Sequence, residues 1–259
     1  MIYWLLCSTA DDPALGRAEA PPGLLHPTEE ARLARLRVPK RRQDWLLGRW
    51  TAKRLLQDWL KATTGERPPP DRLAVLADPD GAPYAALAAE AKKEAELQRL
   101  SVRLTLSHSG QWGFCALCDD CRRSVGADIE RIEPRAPGFT EMFFTAAEQA
   151  GFEAAAPARR DVLITTAWCA KEAALKALRT GLRADTRQIT CRLADPEAAP
   201  RRWSELTVEM GPELGPAVAA LRFSGWRAIN EGFALALVVA GADLPDGLPA
   251  PARFGAPGG

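Results

Sequence analysis

Two short stretches constrain this chain more than any other feature: Val125 to Glu130, Val-Gly-Ala-Asp-Ile-Glu, and Trp168 to Lys176, Trp-Cys-Ala-Lys-Glu-Ala-Ala-Leu-Lys. The first reads as a strand. Alternate strand side chains share a face, so Asp128 and Glu130 point the same way. Two neighbouring carboxylates repel unless a positive charge lies between them. The second stretch holds Ala, Leu, Lys and Glu without Gly or Pro and reads as a helix. Trp168, Lys171, Glu172, Leu175 and Lys176 fall on one face of it. Glu172 would add a third carboxylate to the strand pair, flanked by Lys171 and Lys176. Three hard oxygen ligands beside two ammonium groups suit magnesium, with manganese the alternative, holding a phosphorylated ligand. Plainer readings stand beside this one. Glu172 and Lys176 fit a surface i, i+4 ion pair, and Asp128 with Glu130 fits the wet face of an edge strand.

The chain of 259 residues can bury one sizeable core or two small ones. Its formal net charge of +1 offers no global field for nucleic acid or a membrane surface. The apolar start, Met1 to Cys7, lacks a basic leader and soon meets Asp11 and Asp12, so it reads as a first strand rather than a signal peptide. No apolar run reaches membrane-spanning length. A cytoplasmic protein with reduced cysteines is expected. Cys115-x-x-Cys118-x-x-Cys121 has metal-site spacing, yet no fourth ligand follows and strand alternation separates Cys115 from Cys118. Ordinary thiols are the better reading.

Along the chain, a strand at about 2–8 precedes a Pro/Gly-rich loop, and Thr28 reads as the cap of a helix with acids in its first turn. Pro39 to Thr64 is the longest helix candidate, ended by Gly65. Its Lys40, Arg41, Arg42, Arg49, Lys53 and Arg54 read as a solvated basic face. Ala85 to Leu100 reads as an inserted helix. Strands are expected at 102–106, 112–117 and 125–130, and again at about 186–193, 203–210, 221–228 and 232–240. Phe139 to Ala155 and about Ala158 to Arg179 read as helical. The tail after Ala240, rich in Pro, Gly and Ala, reads as disordered. Three segments result: an N-terminal half at 1–120, a C-terminal half at 121–240 and the tail at 241–259. No sequence repeat between the halves is evident.

Val-Gly-Ala-Asp-Ile-Glu followed by Trp-x-x-Lys-Glu-x-x-x-Lys resembles the paired signature of the Sfp-type phosphopantetheinyl transferases. Phe144-Thr145-Ala146-Ala147-Glu148-Gln149, Gly181-Leu182 and Leu106-Ser107-His108-Ser109 resemble that family too, and the likeness runs in order over about residues 40–240. It implies an α+β fold, a pseudo-two-fold pair of similar halves, each a small mostly antiparallel sheet packed on a long helix. It implies transfer of the phosphopantetheine arm of coenzyme A to a serine of an apo acyl or peptidyl carrier protein, releasing adenosine 3',5'-bisphosphate. Asp128, Glu130 and Glu172 would hold magnesium. Glu172, or a water on the cation, would take the serine proton, and Lys171 and Lys176 would stabilise phosphate charge. Arg42, Arg49, Lys53, Ser107 and His108 would hold coenzyme A phosphates. Ala82 stands where relatives usually carry Lys, which removes one such contact. The carrier would dock near Phe139 to Phe152, with Arg159 and Arg160 facing it. Two fused halves make a monomer the simpler arrangement. A magnesium-dependent phosphodiesterase or nuclease, and a non-catalytic binding module, are the alternatives.

Overall fold

A computed structural model describes the chain except residues 90–95, 194–201, 246 and 255–259. In chain order the strands are β1 (Ile2–Ser8), β2 (Leu73–Ala77), β3 (Pro83–Ala88), β4 (Leu97–Arg99), β5 (Arg103–Ser109), β6 (Trp112–Cys118), β7 (Ser124–Arg131), β8 (Ile189–Leu193), β9 (Ser204–Met210), β10 (Arg222–Asn230), β11 (Phe233–Gly241) and β12 (Ala252–Arg253). The helices are α1 (Pro13–Gly16), α2 (Pro27–Leu33), α3 (Pro39–Thr64), α4 (Phe139–Phe143), α5 (Ala146–Ala154), α6 (Pro157–Leu178) and α7 (Pro216–Ala219). Unit 1 comprises Met1–Cys121 and the segment from Ala252, and unit 2 is Arg122–Pro251. The fold is α+β, with sheets that are almost wholly antiparallel.

In unit 1, among the described residues, β12-β1-β6-β5 form one sheet and β2-β3-β4 another. Pro39 starts α3, where its missing N–H is unneeded, and Gly65 ends it in the left-handed conformation at φ 81°. The helix lays Leu46, Leu47, Leu55, Leu56 and Leu60 into a core with Leu5, Cys115 and Leu117. In unit 2 the order is β7-β11-β10-β9-β8. Its strand β11, Phe-Ala-Leu-Ala-Leu-Val-Val-Ala-Gly, is buried throughout, as an inner strand's apolar run predicts. Helix α6 meets this sheet through Ala170, Ala173, Ala174 and Ala177, all buried. These small side chains let helix and sheet approach closely. At Gly126 in β7 an added Cβ would lie 1.8 Å from the Ala173 carbonyl oxygen and 2.5 Å from the Ala177 nitrogen. Only glycine fits there.

Four sequence expectations are corrected. Ala85–Ala88 belongs to β3, not to a helix. Pairing with β2 buries Ala85, Ala86 and Ala88, and this tertiary gain outweighs alanine's helix preference. Leu97–Arg99 is β4, and the remainder of the supposed helix at 90–95 lies outside the described residues. The tail is ordered where described: β12 pairs in parallel with β1, Phe254 stacks on Tyr3 with centroids 4.4 Å apart, and Leu244 is buried. This small addition covers a sheet edge that composition could not reveal. The cap of α2 is His26, not Thr28: its ring accepts from the Thr28 N–H, while Glu29 reaches back to the His26 N–H. Finally, Phe144 and Thr145 break the Phe139–Ala155 region into two helices, because Thr145 caps the second in a box with Glu148.

Candidate active site

Strand β7 and helix α6 build the site, and Gly126 sets their separation. Asp128 and Glu130 lie on the same face of β7, opposite Ala236 and Ala234 of β11. Asp128 is buried, and its Oδ1 accepts from Lys176 Nζ at 2.7 Å. Lys176 also donates to the Ala127 carbonyl at 3.1 Å. The lysine therefore pairs across to the strand instead of forming an i, i+4 pair with Glu172. Cys169 lies beneath, hydrogen bonded to Asp128 and, at 3.4 Å, to the Ala234 carbonyl. Glu130 accepts from the Trp168 side chain and, at 3.4 Å, from Arg135 Nη2.

The electrostatics tie the three acids together. Burial pushes the Glu130 carboxyl above the usual range and the Asp128 charge adds to this, against Arg135 and Trp168. Burial likewise raises Glu172, with the charge of Asp128 next, partly offset by Lys176, and Glu130 adding its share. Burial alone would lower Lys176, but the charge and hydrogen bond of Asp128, then the charge of Glu172, outweigh it and raise the ammonium. The strand and helix thus hold three mutually repelling carboxylates, which is the charge a hard divalent cation relieves. The donor chemistry fits magnesium. Among the described residues, however, no group of three or more His, Cys, Asp or Glu side chains is placed to hold a metal ion.

The other predicted residues divide sharply. Lys171 does not join the acids. It is fully buried and donates to Glu148 Oε2 at 2.8 Å, the Thr186 carbonyl at 2.9 Å and the Phe143 carbonyl at 3.2 Å. An ammonium has three N–H groups, so none remains for a phosphate. Lys53 repeats this in unit 1. Its donors go to Glu29, to the Leu24 carbonyl at 2.7 Å and to the Pro70 carbonyl at 3.0 Å. Neither a solvated face nor a phosphate contact describes it. Arg49 gives Nη2 to the Val75 carbonyl at 2.8 Å, lies over Trp45 at 4.3 Å, and is 3.7 Å from Glu29. Burial pushes its guanidinium down to about 10, against the Glu29 charge, so it stays cationic at neutral pH. Arg42 ties α3 to the Ala18 and Leu33 carbonyls at 2.8 and 3.2 Å.

Ser107 and His108 lie at the end of β5. The His108 side chain is half exposed, its Nδ1 3.8 Å from Asp44 Oδ2, while Asp44 Oδ1 accepts from Lys40. Arg160 caps α5, donating to the Phe152 and Glu153 carbonyls, both at 3.1 Å. Among the described residues, Cys7, Cys115, Cys118, Cys121, Cys169 and Cys191 form no disulfide. Sequence reasoning missed Arg135 and the Trp168 contact to Glu130. It also missed Glu148, for which the signal was present: Thr145-x-x-Glu148 is a capping box.

Residues 124–228 match the family model ACPS, the 4'-phosphopantetheinyl transferase superfamily. A 4'-phosphopantetheinyl transferase of Bacillus subtilis is 28% identical over 94 residues, 36% of this chain and 41% of the relative's length. The chain thus spans less than half the length of that curated relative. Among solved structures, a holo-(acyl-carrier-protein) synthase from Bacillus anthracis in complex with CoA is similar at 22% identity, over 45% of this chain and 94% of that one, with a TM-score of 0.36. The Thermotoga maritima holo-[acyl-carrier-protein] synthase is 22% identical, over 48% of this chain and 66% of that one, with a TM-score of 0.35. The likeness to the superfamily therefore holds over the segment that carries Asp128, Glu130, Glu172 and Lys176. No helix among the described residues is long and apolar enough to cross a membrane.

Proposed function

We propose that this chain is an Sfp-type enzyme that transfers the phosphopantetheine arm of coenzyme A to a serine hydroxyl of an apo carrier protein, releasing adenosine 3',5'-bisphosphate. The observation that supports this most is the meeting of Asp128, Glu130, Glu172 and Lys176 where β7 crosses α6, within the segment matched by the superfamily. A magnesium ion held by Asp128, Glu130 and Glu172 would supply positive charge to the pyrophosphate.

The chain's own groups supply the rest. Serine is a poor nucleophile while protonated. Glu172 would take the serine proton. The serine oxygen bonds to the β-phosphorus as the bridging P–O bond breaks, and the electron pair leaves on the bisphosphate. Lys176 is held by Asp128 and the Ala127 carbonyl through two of its N–H groups. Its third would meet the charge that grows on the phosphate oxygens. Ser107 and His108, at the end of β5, are proposed phosphate contacts. Lys171 and Lys53 are withdrawn from ligand contact, because all three N–H groups of each are bonded within the protein. A monomer and a cytoplasmic location belong to the same proposal.

The test is mass spectrometry of an apo carrier incubated with coenzyme A, magnesium and this protein. The carrier gains one phosphopantetheine group, and omitting magnesium or using Glu172→Gln suppresses the gain. Hydrolysis of coenzyme A without any carrier would replace transfer with a phosphodiesterase reading.

A further inference from the structure

The loop between β7 and α4 carries a cation that no motif singles out. Arg135 reaches back to Glu130, Nη2 to Oε2 at 3.4 Å, near the outer limit of a hydrogen bond. Its guanidinium carbon lies 5.4 Å from the Phe139 ring centre. Its side chain is only 17% exposed. Its Nε is buried and has no hydrogen-bond partner. A buried N–H left unmade is costly, and a native site that tolerates one calls for an explanation. Arg49 and Arg72 have unbonded Nε atoms too, but both belong to unit 1, and that of Arg49 sits 3.7 Å from the Glu29 carboxylate. Arg135 instead stands beside an acid of the candidate site.

Two cations stand against the acids of the site. Lys176 sits on Asp128, and Arg135 on Glu130. Each makes only part of its hydrogen-bonding capacity within the protein. A divalent cation on the three carboxylates would turn the local balance positive, from three negative and two positive charges to a net of plus one. A pyrophosphate diester needs that balance, and a planar guanidinium is shaped to give two parallel N–H bonds to its oxygens.

On the transfer reading above, we infer that Arg135 is a further binding residue of this site: its unused N–H groups take a phosphate oxygen of the pyrophosphate, opposite Lys176. The ligand class is a pyrophosphate, of which coenzyme A carries one and adenosine 3',5'-bisphosphate none.

Calorimetric binding separates these roles. Coenzyme A, adenosine 3',5'-bisphosphate and inorganic pyrophosphate are titrated, with magnesium, into wild type, Arg135→Ala and Arg135→Lys, with a melting temperature for each. Arg135→Ala weakens coenzyme A and pyrophosphate by about tenfold. It leaves the bisphosphate unchanged, and Arg135→Lys, with charge but no fork, falls between. Should Arg135→Ala fold poorly, the lysine variant carries the comparison. Equal weakening of all three ligands, or of none, overturns the inference and leaves Arg135 as a prop for Glu130. Failure of the transfer reading looks different: pyrophosphate binding still depends on Arg135 while the carrier gains no mass.

Discussion

The two units share a fastening and differ in what surrounds it. In each, a lysine in the middle of the long helix follows Trp-x-Ala: Trp50-Thr51-Ala52-Lys53 in α3 and Trp168-Cys169-Ala170-Lys171 in α6. Each lysine donates to two backbone carbonyls and to the glutamate of a capping box on a short preceding helix, Glu29 on α2 and Glu148 on α5. That glutamate's other oxygen accepts a backbone N–H from the strand after the long helix, Val75 at 2.9 Å and Cys191 at 3.1 Å. The helix residue before each Ala touches the unit's first strand, Thr51 meeting Cys7 and Cys169 meeting Asp128. There the units part. Next to the lysine stands Arg54 in unit 1 and Glu172 in unit 2, and four residues later Asp58 and Lys176. Arg54 lies over Trp50, and Asp58 pairs with Arg67 at 3.0 Å on the surface. One fastening thus supports either a plain core or an acid cluster, and a few positions decide which.

The largest break in this comparison comes from glycine. In unit 2, Gly126→Ala drives a methyl into helix backbone. Unit 2 should lose about 4 kcal/mol or more and the acid cluster with it. In unit 1 the nearest match is Gly113, where an added Cβ would meet side-chain atoms of Leu47 and Thr51, both at 2.8 Å. Those can shift, so Gly113→Ala should cost about 1–3 kcal/mol. Urea unfolding of both variants measures the contrast, and equal losses would deny that backbone contact sets the β7–α6 spacing.

Next come the fastenings. Lys171→Met leaves Glu148 buried without its cation, and Lys53→Met leaves Glu29 buried with only Arg49, 3.7 Å away. Each should destabilise by about 3–5 kcal/mol, and adding Glu148→Met to Lys171→Met should restore most of the loss. A stable Lys171→Met that merely stops transferring would return this lysine to the chemistry and break the parallel.

Activity should then divide the paired positions. Glu172→Gln lowers the transfer rate by about 100-fold or more, as loss of a general base does. Arg54→Gln, its counterpart in unit 1, leaves transfer at the wild-type rate. Comparable losses in single-turnover assays would mean that the acid cluster is not the seat of reaction.

How much of this was legible follows from where the information lies. Helix α3 was readable end to end because Pro39 and Gly65 mark its limits locally. The Asp128–Glu130 face was readable because strand periodicity needs no partner. The fate of Lys53 and Lys171 was not, because a lysine's spacing is the same whether a glutamate distant in sequence receives it or solvent does. Their different neighbours, Arg54 and Glu172, also hid the shared Trp-x-Ala-Lys from a search for repeats. Ala85–Ala88 misled for a related reason: alanine reads as helix until another strand lies beside it. Arg135 carried no motif at all, and only its packing against Glu130 and Phe139 brings it into the site.

The smallest expected effect concerns stability and separates the units by sign. Glu130 and Glu172 have folded carboxyls raised above the usual range, so the native protein holds those protons more tightly than the unfolded chain. Their contribution to stability is present below the ordinary carboxylate range and is lost as pH rises through the raised values. At neutral pH, in a chelator, each acid therefore works against folding, and Glu172→Gln should melt a few degrees above wild type, with the gain vanishing in acid. Adding magnesium should lift wild type, because a cation bound only by the folded form stabilises it, and should lift Glu172→Gln less. Glu29 in unit 1 makes the opposite case. Its charge is answered by Lys53 and Arg49, so Glu29→Gln should melt below wild type at neutral pH and ignore magnesium. If both glutamine variants shift the same way, the acids near α6 are ordinary ion-pair partners, and the contrast between the two units disappears.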